Sequence, residues 1–258
     1  MDNEQQEDTV VRDFEKRAKT FEEYSRWAID EKINAVPLRF LSSVKNTDAL
    51  LDAGGGTGFL SNFLSKHINF DTICLVDSSK DMLDEARRKE YGAELFNASI
   101  EDFCHLTNKK FDVILVRQVL HYVEDVNRVI SLLRSVLNDD GVIYVGQFVV
   151  EDEKCREWHD KLMQEISKNR LRTFLFDELS EDFTKAGFEI INKSFTEHSE
   201  NLKNFSKRKT TDEKFFKILK EKMIRSLTKD VREKMLVKEV EGNIYYTVNF
   251  CHLLLKKS

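Results

Sequence analysis

The stretch Leu50-Leu51-Asp52-Ala53-Gly54-Gly55-Gly56-Thr57-Gly58 constrains this chain more than any other. An apolar run leads into it and a helical pattern leaves it near Phe59, so it reads as strand, glycine turn and helix. Gly54, Gly56 and Gly58 stand at alternate positions and strip the Cβ atoms from one edge of the turn, which lets a bulky group lie against the backbone. The start of the following helix offers unpaired N–H groups to polar or anionic atoms. Asp52 puts a carboxylate at the strand exit, where it can meet a cationic ammonium through ordered water.

An alternation surrounds this turn. Apolar strand-like runs fall at 48–53, 72–77, 93–97, 111–117 and 141–149, separated by helical patterns at 58–67, 79–90 and 125–137. Strands alternating with helices imply right-handed crossovers and a parallel sheet. Upstream, 1–12 reads as a mobile tail. Residues 14–35 read as a helix with Phe14, Ala18, Phe21, Tyr24 and Ala28 on one stripe. Pro37 suits the first turn of another helix over 38–44. Beyond 150 the pattern predicts a long helix over 152–169 and a shorter one over 177–186, with Asp177 as N-cap and Gly187 as its stop. A strand at 188–194, a polar and mostly helical stretch at 195–243 and a final strand at 244–256 complete the chain.

Composition narrows the class. Hydrophobic residues make up 41% of the 258, enough for a real core, and charged residues 34%, so the surface is strongly solvated. One proline and nine glycines argue against low-complexity segments. No run of about 18 apolar residues exists, so no membrane span is expected. The first eight residues are acidic and polar, without the basic and apolar regions of a signal peptide, so a cytosolic location is expected. Cys74, Cys104, Cys155 and Cys251 show no metal-ligand spacing and read as reduced structural thiols.

Two registers compete for the glycine turn. A dinucleotide fingerprint, G-x-G-x-x-G/A, started at Gly54 meets Phe59 at its sixth position, and started at Gly56 it meets Ser61. The register that uses all three glycines and Asp52 resembles the Asp/Glu-x-Gly-x-Gly-x-Gly signature of class I S-adenosylmethionine (SAM) methyltransferases. A second match is Phe111-Asp112-Val113-Ile114-Leu115-Val116-Arg117-Gln118-Val119-Leu120-His121-Tyr122-Val123. It resembles the fourth-strand motif of the small-molecule methyltransferases of ubiquinone and menaquinone synthesis (methyltransferase type 11). The resemblance is specific over about 48–150. It implies an α/β fold: a Rossmann-like, seven-stranded, mostly parallel sheet with an antiparallel last strand and a helical substrate cap. The expected organisation is a single domain over 13–258. Its core would span 46–150, 186–194 and 244–256, and its cap elements 13–45, 151–185 and 195–243.

The resemblance also implies S-adenosyl-L-methionine as cofactor, S-adenosyl-L-homocysteine (SAH) as product, and methyl transfer to an O, N or C nucleophile of a small molecule. Asp77 ends the second strand 25 residues after Asp52. A carboxylate there can accept hydrogen bonds from both ribose hydroxyls, the competing role being a helix cap. Ser78 follows it, and Met82 stands where similar proteins pack on the adenine, although a helical Met is otherwise core. Ala98-Ser99-Ile100-Glu101-Asp102-Phe103 resembles the family's adenine segment and places Ser99 and Ile100 at the adenine edge, with Ser where the family has Asp. Arg117 and Gln118 would line the methyl-sulfonium pocket. Phe21, Tyr24 and Trp27 would form an aromatic lid, with Tyr24 among the cofactor contacts.

His121 is the best-placed candidate for a general base, against the plainer reading of a buried structural histidine. With Tyr122, Trp158, His159 and Phe176 it makes up the candidate acceptor pocket; ordinary packing is the alternative for Trp158. Arg117 stands where catechol-type enzymes carry an acidic metal ligand, so no metal is expected. Between positions 203 and 238, 13 Lys/Arg face 5 Asp/Glu in a chain whose net charge is −5. That asymmetry suits an anionic acceptor, a phosphopantetheine carrier or RNA, or else a solvated helical surface. Three alternatives remain: a tRNA-directed methyltransferase using this insert, an NAD-dependent oxidoreductase, and a non-catalytic SAM-binding protein. A small-molecule acceptor, anionic or carrier-bound, is the expected partner; nucleic acid is not.

Overall fold

The computed structural model describes residues 3–167 and 169–258. Its sheet is built from β1 (Ala49–Ala53), β2 (Thr72–Asp77), β3 (Glu94–Asn97), β4 (Phe111–Arg117), β5 (Leu137–Val150), β6 (Phe174–Leu175), β7 (Phe188–Asn201), β8 (Lys238–Val240) and β9 (Asn243–Lys257). The main order is β3-β2-β1-β4-β5-β9-β7, with β6 added to β5 and β8 to β9. The first five strands are parallel, and β9 enters antiparallel between β5 and β7. This is the expected seven-stranded α/β plan with two short strands added. Six of the seven residues of β4 are buried. A continuous Val/Ile/Leu run of that kind is what a strand covered on both faces requires.

The helices α1 (Asn3–Arg17), α2 (Phe21–Tyr24) and α3 (Glu31–Leu41) precede the sheet. Four more, α4 (Phe59–Ser65), α5 (Lys80–Arg87), α6 (Ile100–Leu106) and α7 (Val126–Val136), make the crossovers. Polar caps fix where the last three begin: the side chains of Ser79, Ser99 and Asp125 accept the N–H groups of Met82, Asp102 and Arg128. On α7, Val126, Val129, Ile130, Leu133 and Val136 form the buried stripe. It joins Leu51, Val76, Ile114 and Ile143 in a core on one sheet face. Leu50, Leu60, Leu64, Val113 and Tyr144 pack on the other. Because every strand tip of the parallel half points the same way, the loops after β1, β2, β3 and β4 gather at one edge, where open α/β sheets bind ligands.

The cap differs from its sequence reading in several places. Residues 3–17 form α1 where a mobile tail is expected over 1–12; the Thr9 carbonyl accepts from Asn169 Nδ2 at 3.1 Å, and Phe14 packs on Tyr122. The helix expected over 14–35 is broken into α1, α2 and two 3-10 turns, because Asp30 caps a new helix by accepting from Lys32 and Ile33 N–H. Pro37 therefore lies inside α3 instead of opening a helix at 38. Farther on, α8 (Glu153–Ile166) and α9 (Phe176–Lys185) appear as expected, but Asp177 is not the cap of α9. Leu175 takes that place, and the Glu178 carboxylate accepts its N–H at 3.3 Å. Gly187, at φ +81°, does stop the helix. Strand β7 runs on to Asn201 because it stays paired with β9 as far as Asn201–Tyr245. The helices of the insert consequently begin only at Leu202: α10 (Leu202–Ser206), α11 (Glu213–Arg225) and α12 (Lys229–Lys234). Phe205, Phe216, Leu219 and Met223 bury against Trp158, Leu162 and Tyr246, which seats the insert on the core.

Candidate active site

A cavity of about 470 Å³ opens at the strand tips and runs inward beneath the cap. Its outer half begins at the glycine turn. Gly54 takes φ +66°, and a Cβ there would stand 2.6 Å from Val119 Cγ2, so the turn closes tightly on the loop after β4. Gly56, at φ +56°, would meet only Met82 Sδ at 4.0 Å; its α-carbon faces open cavity.

Two carboxylates organise the turn from below. Asp77 Oδ2 accepts the Gly56 N–H at 2.8 Å and Oδ1 accepts the Ser79 N–H at 2.9 Å. Burial outweighs these bonds and pushes its pKa up to about 6. Asp52 is buried; its Oδ2 accepts from Ser61 Oγ at 2.6 Å, and Tyr91 Oη lies 3.0 Å from the same hydroxyl. Desolvation raises the Asp52 pKa against that bond and the field of Arg117.

The N-terminal segment is latched onto this turn. Glu22 Oε1 accepts from Thr57 Oγ1 at 2.9 Å and from Lys89 Nζ at 2.8 Å, while Lys89 Nζ also reaches the Thr57 carbonyl at 2.9 Å. Arg117, at the end of β4, donates to Asn34 Oδ1 at 2.9 Å and stacks 5.2 Å from the Trp27 ring. Phe21 and Trp27, themselves in edge contact, line the cavity. Of the three residues expected in the aromatic lid, Tyr24 is not among the lining residues, and its carbonyl accepts from Arg208 Nε at 2.8 Å.

His121 is buried on the loop after β4, and Gln147 Nε2 lies 3.0 Å from its Nδ1. With the amide nitrogen as donor, Nδ1 accepts and the ring proton sits on Nε2. Burial, aided by Arg170, holds its pKa well below the ordinary histidine value, so it stays neutral. His159 is likewise buried, with Nδ1 2.8 Å from Thr173 Oγ1, and its pKa is lowered in the same way.

Of the residues singled out in the sequence, Asp52, Gly54, Gly56, Asp77, Ser78, Met82, Ser99, Ile100, Arg117, Gln118, His121, Tyr122 and His159 line this one cavity. Ser99 also serves as the cap of α6 and donates to Asp102 Oδ2 at 2.8 Å. Four residues do not line it. Gly58 sits behind the turn as the N-cap of α4, packed against Tyr91. Trp158 donates to the Met223 carbonyl at 3.2 Å and packs on Tyr246, which is the plain packing role. Phe176 packs on Phe195. Tyr24 turns away as described. Part of the basic insert is paired: Lys203, Lys220, Lys222 and Lys234 meet Glu213, Glu239, Glu165 and Asp152. Missing from the sequence reading are Phe14, Arg17, Phe148, Arg170, His198, Glu200, Arg208 and Tyr246, all of which line the inner half. They come from α1, β5, β7, β9 and the segments after α8 and α10, and no motif in the sequence joins these stretches.

A glycine turn fixed by a strand-end carboxylate, at the tips of a sheet of this order, defines the class I methyltransferases. The methyltransferase-domain family matches residues 22–193, and the chain belongs to it. Malonyl-[acyl-carrier protein] O-methyltransferase 1 of Ilyobacter polytropus is 28% identical over 204 residues, 77% of this chain and 74% of that protein. The chloroplastic 2-methyl-6-phytyl-1,4-hydroquinone methyltransferase 1 of Oryza sativa subsp. japonica is 32% identical over 95 residues, 36% of this chain and 28% of that protein. Among solved structures, a Bacillus halodurans C-125 protein superposes with a TM-score of 0.76 at 15% identity, covering 86% of this chain and 97% of its own. A SAM-dependent methyltransferase of Leishmania major gives 0.60 at 16% identity, covering 97% and 83%. At such identities the structural likeness speaks for the fold alone.

The protein is a SAM-dependent methyltransferase. The residues present fit that cofactor. Asp77 is a half-buried acceptor whose pKa desolvation raises, Gly56 leaves space where a Cβ would stand, and Gln118 Nε2 is a buried donor without a partner among the described residues.

Proposed function

We propose that this enzyme methylates a small, carrier-bound acyl acceptor, with Asp77 and the glycine turn holding the donor and the inner half of the cavity holding the acceptor. The observation that carries the reading is that one cavity is lined both by Asp77 with the glycine turn and by His121, Tyr122 and His159. The malonyl-[acyl-carrier protein] methyltransferase relatives support an acceptor delivered on a carrier.

Asp77 would take the ribose hydroxyls with the lone pairs that Gly56 and Ser79 leave free. Ser99 and Ile100 would frame the adenine, and Met82 would pack on it. Asp52 and Arg117 would set the field near the amino-acid end. When bound, S-adenosylmethionine supplies a methyl carbon already activated by its sulfonium, so the protein's work is alignment and exclusion of water. Phe21 and Trp27 cover the outer compartment against solvent. His121, neutral and with its proton on Nε2, acts as a hydrogen-bond donor that orients the acceptor. It becomes a base only with the Gln147 amide turned about, so that the amide oxygen receives Nδ1–H.

The test is SAH formation from S-adenosylmethionine with three acceptors: a malonyl-loaded acyl carrier protein, a free alkyl hydroquinone and bulk tRNA. Turnover on the carrier-bound acyl group supports the reading. Turnover on hydroquinone or tRNA alone contradicts it.

A further inference from the structure

Beneath the cap the cavity is lined by cations whose hydrogen-bonding capacity is only partly used. Arg17 on α1, Arg170 after α8 and Arg208 after α10 all line it. In each, Nη2 is sealed from solvent and makes no hydrogen bond among the described residues. The rest of each guanidinium is held in place: Nε donates to the carbonyls of Asp13 at 3.3 Å, Arg172 at 3.2 Å and Tyr24 at 2.8 Å, respectively. Arg17 stacks 4.6 Å from the Phe14 ring and Arg208 3.9 Å from the Phe205 ring, so neither swings freely.

Their carboxylate partners are weak. Asp13 stands 3.4 Å from Arg17 Nη2, and Glu200 stands 3.6 Å from Arg208 Nη2 while also lying 3.6 Å from His198 Nε2. Burial lowers the pKa of Arg170, and that of Arg208 to about 10, as expected for cations short of negative charge. The three are linked pairwise through their fields: Arg17 and Arg170 both act on His121, Arg170 and Arg208 both act on Tyr246, and Arg17 acts on Arg208. At the strand-tip end, the carboxylates of Asp52, Asp77, Glu101, Asp102, Glu124 and Asp125 outnumber Arg117 and Arg128. A buried cation held by no more than a long ion pair is costly, and a guanidinium fork is shaped for an oxyanion.

We propose that Arg17, Arg170 and Arg208 form an anion subsite that receives a carboxylate or phosphate group of the methyl acceptor. The proposal rests on the methyltransferase reading and gives its acceptor a charge. Arg17 belongs to the N-terminal cap and Arg208 to the insert, so an anion between them ties the two halves of the cap together.

The test titrates malonate, inorganic phosphate and the neutral diester dimethyl malonate into the full-length protein saturated with SAH, by calorimetry at fixed chloride. Wild type, Arg170→Gln and Arg208→Gln are compared after their SAH affinity and melting temperature are checked. Saturable binding of malonate or phosphate, none of the diester, and at least tenfold weaker anion binding in each folded variant is the expected result, with SAH affinity unchanged within twofold. Preference for malonate assigns a carboxylate and preference for phosphate a phosphate group. Failure of both anions to bind the wild type, or equal binding by the variants, overturns the subsite. Should a variant not fold, the wild-type contrast between anions and diester still decides. Failure of SAH to bind the wild type strikes the methyl-donor reading instead.

Discussion

Asp77 Oδ2 accepts the Gly56 N–H at 2.8 Å, so the carboxylate that ends β2 sets the middle of the turn that ends β1. The same carboxylate is the candidate ribose anchor. Cofactor affinity and the shape of the glycine turn are therefore properties of one group, and its protonation touches both.

The Asp77 pKa of about 6 predicts a pH dependence for cofactor binding. Ribose hydroxyls donate to the ionised carboxylate, so the bound state favours ionisation. Affinity should be flat above about pH 7 and fall steadily below pH 6, by up to tenfold per unit. Calorimetric titration of SAH between pH 5 and 8 checks this, and Asp77→Asn should flatten the profile.

Gly54 cannot carry a side chain where it stands, since a Cβ would press on Val119 in a left-handed backbone conformation. Gly54→Ala should lose about 1–3 kcal/mol of stability and most of its SAH affinity. Gly92 is the control: it has φ +81° but nothing within 4 Å, so Gly92→Ala carries backbone strain alone and should leave SAH binding intact. Thermal melts and titrations of both variants separate the two effects.

The Lys89–Glu22–Thr57 latch holds the N-terminal segment on the turn. It is partly exposed, and such pairs are worth little in global stability. Lys89→Ala should weaken SAH binding by about two- to fivefold with a small change in melting temperature. Lys185→Ala, which breaks the exposed Lys185–Glu181 pair on α9, should do neither.

Acid should destabilise the protein through its buried histidines. Tyr144 Oη and Thr196 Oγ1 lie 2.8 and 3.0 Å from the two ring nitrogens of His252, whose pKa burial lowers to about 3. A group depressed in the folded state contributes stability above its unfolded pKa, about 6.5, that is lost as pH falls toward the folded value. Asp77 acts with the opposite sign between 3.8 and about 6. The melting temperature should therefore fall between pH 6.5 and 4, and His252→Gln should make that fall shallower.

Much of the fold is legible in the sequence because local signals agree there. The β1 turn and the apolar runs point to one alternation, and the strands lie where those runs lie. The cofactor half of the site follows, since its residues sit directly after strands. The cap is less legible. Its N-terminal stripe fits one long helix until Asp30 restarts it, and β7 outruns its apolar pattern because β9 pairs with it to the end. The inner compartment is illegible for a geometric reason. Arg17, Arg170 and Arg208 come to line one cavity only after three separate cap elements have packed, and Arg208 reads in the chain as one more charge in a basic run. Trp158 and Phe176 show the converse: large rings near the right place that serve as packing.

The most direct test of the account is calorimetric binding of SAH to the wild type and to Asp77→Asn at pH 7.5. The account predicts saturable one-to-one binding to the wild type and a loss of at least tenfold, about 1.4 kcal/mol, in a variant that melts normally. Equal affinity in the two proteins, or no binding to a folded wild type, would contradict it.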